Sequence, residues 1–488
     1  MNPLTYFRLS ILAVAFVVFG AQADVRLPAI FGNNMVLQRD QKVPVWGWAE
    51  DGEKVTVQFA GQKVETTAKA GKWAVALAPL KGSSTGANFT VTGNNKIELT
   101  NVVVGEVWLC GGQSNMEWNV AQSKNAKQEI ADGNHPLIRH IKVPHVTATK
   151  PQDDVKAGGW VASTTATVPG FTAVGYFFAR EIQKELGVPI GLIGSNWGGT
   201  RIEPWTPPVG FQSVPALKEN YADKLAQFPQ TNAQGVAGSG SPLAMYNAMI
   251  HPLVPYAIRG ALWYQGESNN GEGMLYYEKK KALINGWRKV WNQGDFPFLF
   301  VQLAPYRYNS PEKLPGIWEA QSATLSIPNT GMSVITDVST VGNIHPPDKQ
   351  TVAHRLALWA LAKTYNKPVD SYASPMFDTL KIDGSKARLT FKHAEGGLKS
   401  LNGQPLTWFT VAGEDKKFVA AKADISGGAV IVSAEGVTHP VAVRFGWHEL
   451  AEPNFANAAG LPASPFRTDK WTDAIMPALA PAPAPTKK

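Results

Sequence analysis

The chain has 488 residues, of which 44% are hydrophobic and 17% charged, a balance that excludes disorder and allows about three domains of ~150 residues. Its 45 Gly and 35 Pro exclude a long helical bundle or coiled coil. The 46 Lys and Arg against 38 Asp and Glu give a net charge of +8, and no Lys/Arg block makes a nucleic-acid footprint.

The first 23 residues read as a removable leader. Arg8 precedes the apolar run Leu9 to Phe19, and Ala21-Gln22-Ala23 supplies small residues before a mature start at Asp24. That run is shorter than the ~20 apolar residues of a bilayer span, so the expected product is exported, periplasmic or secreted, with no membrane span. Cys110 is the only cysteine, which rules out an intrachain disulfide. Its neighbours Val107, Trp108 and Leu109 mark it as a buried strand residue.

Residues 24–102 read as an N-terminal β domain. Lys54 to Phe59 alternates with period two, Trp73 to Leu77 is a short apolar run, and Asp51-Gly52 and Gly93-Asn94-Asn95 mark turns. Val102 to Cys110 continues as a largely apolar strand, the pattern of a buried parallel sheet. From 103 to 365, further buried-strand runs (Ile190 to Gly194, Ala261 to Tyr264, Phe298 to Val301) alternate with helical patterns at Ala173 to Leu186, Met274 to Trp291 and Lys349 to Lys363. This is the order of βαβ units, predicting an α/β domain with a central parallel sheet. Residues 366–476 return to β patterning, as at Lys386 to Phe391 and Ala429 to Val432, and predict a C-terminal β domain. The Ala/Pro-rich 477–488 reads as a flexible tail.

Three polar, Gly-containing loops follow apolar strands: Gly111-Gly112-Gln113-Ser114-Asn115-Met116, Gly194-Ser195-Asn196-Trp197-Gly198-Gly199-Thr200 and Gln265-Gly266-Glu267-Ser268-Asn269. In a parallel sheet such loops converge on one face. A Ser on a Gly-rich turn can present its hydroxyl to substrate while nearby N–H groups meet an oxyanion; an ordinary strand-ending turn is the alternative. A nucleophilic Ser needs a base, and His345, in a turn just before a helix, stands out among nine His. His135, His140 and His145 recur every five residues, which matches no metal-ligand spacing, and no metal site is expected. The 16 Trp suit either sugar-stacking surfaces or large cores.

In this order the segments resemble the SGNH hydrolase superfamily, and more closely its sialate O-acetylesterase branch. The resemblance is carried by Gly105 to Met116, Trp197-Gly198-Gly199-Thr200, Trp263 to Asn269 and Ile344-His345-Pro346. It extends to Met35 to Gln38 and Trp46-Gly47-Trp48, and to Phe409 to Lys416 and Gly460 to Asp469. It implies an SGNH-like three-layer catalytic domain flanked by sandwich-like β domains, and hydrolysis of acetyl esters on sugars without a cofactor. By match, Ser114 is the nucleophile and His345 the base, with the Ser114 N–H, the Gly198-Gly199 turn and the Gln265 side chain as the oxyanion hole. The Asp that such enzymes commonly place two or three residues before the His is replaced by Asn343 and Gly342. Glu267 is the favoured substitute for orienting His345, with Asp337 or a backbone carbonyl as alternatives. Arg201 is a candidate partner for a sugar carboxylate. Trp197, and with it Trp205 and Trp263, are candidates for stacking on sugar faces, with core packing as the alternative. Sialic acid esters are the first substrate reading and acetylated xylan or mannan the second. An inactive glycan-binding protein, or an esterase for long acyl chains, also stays open.

Overall fold

The computed structural model describes residues 24–472; the expected leader (1–23) and tail (477–488) lie outside the described residues. The N-terminal unit consists of β1 (Val36–Gln38), β2 (Val43–Trp48), β3 (Lys54–Phe59), β4 (Gln62–Thr67), β5 (Lys72–Leu77) and β6 (Ser83–Thr92). It leads into β7 (Lys96–Gly112), a single strand of 17 residues. The change in pattern near 102/103 therefore falls inside a strand. Before Val102, β7 has water on one side and pairs antiparallel with β6; from Val102 onward every residue is buried. The apolar run marks where exposure ends within one continuous element.

The catalytic unit follows with α1 (Ser114–Glu117), α2 (Ala126–Ala131), β8 (Ile138–Lys142), β9 (Val161–Ala162), α3 (Ala173–Leu186), β10 (Ile190–Asn196), α4 (Pro208–Gln212), β11 (Gly260–Tyr264), α5 (Leu275–Trp291), β12 (Phe298–Val301), α6 (Lys313–Ala323), β13 (Thr330–Ser333) and α7 (Lys349–Trp359). The spatial order is β13-β12-β11-β7-β10-β8-β9, parallel except for the edge strand β9. Successive residues of β7 point to opposite faces. A Cβ on Gly175 of α3 would stand 2.8 Å from Cys110 Sγ, whereas Trp287 of α5 reaches 3.1 Å from the Cβ position of Gly111. Helices thus cover both faces, giving the expected three layers, and Cys110 is buried in a helix-sheet interface.

The three helices expected from periodicity are present, the last continuing in a π turn over Ala360–Thr364. Helix α6 lacks a clear sequence signal because Pro315-Gly316 reads as a turn. The proline lies in the first helical turn, where its missing N–H costs nothing. One apolar core runs from Val25 to Ala373 and joins the N-terminal and catalytic units. The buried Glu106 of β7 adds a polar clamp: it pairs with Arg39 Nε at 2.5 Å from one unit and Arg259 Nε at 2.6 Å from the other.

The C-terminal strands form two four-stranded sheets and a two-stranded pair, Leu398–Ser400 with Phe455–Asn457. One contains Met376–Asp383, Lys386–Lys392, Ala429–Ser433 and Lys422–Ser426; the other contains Val419–Ala420, Phe409–Ala412, Ala442–Phe445 and Phe466–Arg467. Both are antiparallel, and they share a second core including Leu389, Val430, Phe409 and Phe445. Arg467 pairs with Glu319 of α6 at 2.8 Å and ties this unit to the catalytic one.

Candidate active site

Asn196 and Tyr264 flank Gly112 in register on β10 and β11, so the three motif loops leave the sheet side by side. The chain order also reverses at β7, with β8 and β10 on one side and β11 to β13 on the other; this switch point is where open α/β sheets bind ligands. Gly112 permits the junction. Its φ is +134° and a Cβ would stand 2.2 Å from Tyr264 O, so a side chain meets both a forbidden conformation and a backbone wall. Gln113 N then donates to Tyr264 O at 3.0 Å, and Ser114 opens the single turn α1.

His345 arrives from the segment after β13. Asp348 caps α7 by accepting from Thr351 N at 3.0 Å and pairs with Lys124 at 2.9 Å, which anchors the loop just beyond the His. The structure brings the two principal candidates together: His345 Nε2 lies 2.8 Å from Ser114 Oγ. The Trp118 ring lies 4.7 Å from the imidazole at 18°, a parallel stack that limits its rotation. Burial, and then the charge of Lys349, push the His345 pKa below its usual value, so the ring is neutral and able to accept a proton near neutrality.

The expected orienting acid is not in contact with the imidazole. Glu267 accepts from Asn115 Nδ2 at 2.6 Å, and the same amide donates to Ile344 O at 2.9 Å. Glu267 therefore reaches the His345 loop through Asn115. Asn115 Oδ1 in turn accepts from Lys349 Nζ at 2.5 Å. Burial raises the Glu267 pKa and lowers that of Lys349 to about 7. Asp337 is also withdrawn, bound to Arg355 through both oxygens at 2.7 Å. Among the described residues His345 Nδ1 makes no hydrogen bond, while its backbone N–H donates to Asn343 Oδ1 at 2.9 Å. Sequence matching located the acid near the site but placed it one residue too close.

Two of the expected oxyanion donors are engaged elsewhere. Gln265 is fully buried; its Nε2 donates to Thr200 O at 3.2 Å and Asn269 Oδ1 at 2.7 Å, and its Oε1 accepts from Tyr276 OH at 2.8 Å. Gly198 N donates to Glu117 Oε2 at 2.8 Å. The Gly198-Gly199 turn is thus held at both ends, by Glu117 and by Gln265 through Thr200. It lies against the nucleophile, since a Cβ on Gly198 would stand 3.3 Å from Ser114 Cβ. The N–H groups of Ser114 and Gly199 have no acceptor among the described residues.

The substrate candidates also divide. Arg201 pairs with Glu203 at 3.1 Å and with Glu272, and donates to Ser268 O at 3.0 Å, so its charge is already matched. Trp205 and Trp263 are fully buried and pack edge to face, as core residues. Trp197 is half-exposed and stacks parallel on His145 at 4.5 Å; His145 Nε2 meets Glu117 Oε1 at 2.8 Å. Sequence reasoning missed Trp118, Glu117 and His145, and assigned no role to Asn115 or Lys349. Asn115 stands inside the Gly111 to Met116 loop and Lys349 opens an expected helix, but only the fold shows that they meet.

Comparison with known proteins matches residues 104–357 to the family described as carbohydrate esterase, sialic acid-specific acetylesterase. The chain is 34% identical over 411 residues to the Homo sapiens sialate O-acetylesterase, covering 75% of this chain and 76% of that one. It is 34% identical over 439 residues to the Rattus norvegicus enzyme of the same name, covering 77% and 80%. Among solved structures, a carbohydrate acetylesterase from Xanthomonas citri superposes with a TM-score of 0.84 at 38% identity, covering 92% of this chain and 100% of the other.

Proposed function

Because the chain belongs to the sialic acid-specific acetylesterase family of carbohydrate esterases and is a carbohydrate O-acetylesterase, we propose that it works through an acetyl-enzyme on Ser114. The observation that carries this reading is the 2.8 Å contact between His345 Nε2 and Ser114 Oγ. Oγ attacks the acetyl carbonyl as Nε2 takes its proton, and the tetrahedral oxyanion is received by the N–H groups of Ser114 and Gly199. Collapse breaks the ester bond, and the departing sugar oxygen takes the proton from His345. Water then attacks the acetyl group with His345 again as base, releasing acetate and restoring the Ser114 hydroxyl. Trp118 holds the imidazole plane and Asn115 holds the loop that carries it. Labelling of Ser114 by a fluorophosphonate, absent in Ser114→Ala, tests the assignment; undiminished acetate release by that variant refutes it.

For the substrate, the names of the mammalian relatives support O-acetylated sialic acids. A second reading, acetyl groups on neutral polysaccharides such as xylan or mannan, is favoured by Arg201, whose guanidinium is already matched by two carboxylates. Acetate release from 9-O-acetyl sialic acid, acetylated xylan and acetylated mannan, measured side by side, separates the two. A preference for octanoyl over acetyl p-nitrophenyl esters would overturn both. The leader pattern supports export, which N-terminal sequencing of the mature protein tests by a start at Asp24. No helix among the described residues is long and apolar enough to cross a membrane.

A further inference from the structure

The motif Trp46-Gly47-Trp48 plays no part in the site built around Ser114. It lies in β2, which alternates buried Val43, Val45 and Gly47 with half-exposed Pro44, Trp46 and Trp48. Two indoles thus share the face that a strand normally gives to polar residues. Opposite them on β5, Ala74 pairs with Trp46 and exposed Lys72 with Trp48.

Trp46 is explained in part by packing, since it meets Phe31 edge to face at 4.9 Å and joins the main core. Trp48 lies outside that core and carries the Arg26 guanidinium 5.3 Å from its ring centroid. Both rings border a cavity of about 350 Å³ at the seam between the N-terminal and catalytic units. Trp73, itself buried in the core, backs the strand pair from its other face, while Lys72, Gln152, Asp153 and His251 supply hydrogen-bonding groups around the cavity. None of the lining residues belongs to the three motif loops or to the His345 segment.

We propose that this cavity is a second, non-catalytic carbohydrate site that takes a neutral pyranose of a glycan chain. Indole rings match the C–H face of a pyranose, and a mixed rim of donors and acceptors matches its hydroxyls. The choice of a neutral sugar rests on the lining: its one Lys or Arg, Lys72, pairs with Asp153 at 2.9 Å across the seam, while the Arg26 guanidinium is stacked on the Trp48 ring beside it. The site rests on the carbohydrate esterase reading only for the class of its ligand. It would hold a polymer on the enzyme while acetyl groups are removed elsewhere.

Isothermal titration with unacetylated xylohexaose and mannohexaose tests the proposal without any ester chemistry, so its failure is separable from failure of the catalytic reading. The expected result is millimolar or tighter binding of at least one hexasaccharide, retained in Ser114→Ala, and no comparable binding of free N-acetylneuraminic acid. Trp48→Ala should weaken binding about tenfold or more while leaving turnover of p-nitrophenyl acetate unchanged, which also reports that the variant is folded. Trp48→Phe, which keeps an aromatic face, should recover part of the loss. Binding equal to wild type in Trp48→Ala, or no wild-type binding to either hexasaccharide, overturns the proposal.

Discussion

Replacement of Glu267 by Gln separates two ways in which an acid can serve a catalytic His. A carboxylate bound directly to imidazole Nδ1 fixes the tautomer and stabilises the imidazolium, and its conversion to an amide costs ~10⁴ in turnover. Here Glu267 instead accepts a 2.6 Å bond from Asn115, whose amide also holds Ile344 O. A Gln at 267 still offers Asn115 an oxygen, so the change removes the charge assistance of that bond and the carboxylate's attraction to Lys349. The bond falls from about 1.5–3 kcal/mol to about 0.5–1.5 kcal/mol, a loss near 1 kcal/mol and about five- to tenfold in rate if all of it is expressed at His345. Asn115→Ala removes every contact of that amide and leaves Ile344 O, Glu267 and Lys349 without it; it should be slower than Glu267→Gln. Steady-state turnover of p-nitrophenyl acetate, with thermal melting to confirm folding, provides the assay. A loss of three or more orders of magnitude in well-folded Glu267→Gln would refute the indirect arrangement.

The lowered His345 pKa predicts that kcat/KM climbs with pH through an inflexion below the ordinary His value of ~6.5. Because the Lys349 charge opposes protonation of His345, Lys349→Met should move that inflexion to higher pH, and an unmoved profile counts against the coupling. Gln265→Leu leaves the buried Thr200 O without its partner and strips one of two bonds from Asn269 Oδ1 and from Tyr276 OH; it should destabilise the fold by about 1–3 kcal/mol in denaturant titration, with a fall in kcat through the displaced Gly198-Gly199 turn. Glu106→Ala leaves Arg39 and Arg259 facing one another at the seam; breaking such a pair costs about 3–5 kcal/mol, and an unchanged midpoint of unfolding would show that the clamp is dispensable.

The three layers and the convergence of loops were legible because each rests on a local pattern: apolar runs for β10, β11 and β12, helical periodicity for α3 and α5, and polar Gly-containing turns after the strands. Ser114 and His345 were legible through motif resemblance, though no spacing in the chain shows that they meet. Residue roles within the loops were harder to read. Gln265 and Arg201 are polar residues in the right segments, but their partners Thr200, Tyr276 and Glu272 come from elsewhere in the chain, and those partners turn the side chains into supports. The boundary expected at 102/103 falls inside a strand for a related reason. Hydropathy records a change of solvent exposure, and in β7 that change occurs along one unbroken strand.

The continuity of β7 bears on how the chain comes to be folded. A strand of 17 residues spans about 55 Å, and its first half can pair with β6 as soon as both have left the ribosome, because a short turn joins them. Its second half must wait for β10 and β11, roughly 80 and 150 residues later, contacts whose closure is slow. The N-terminal sheet can therefore form, and hold the strand extended, before its parallel neighbours are made. Deleting that sheet to isolate a minimal catalytic fragment would remove the starting point of assembly along with an accessory unit.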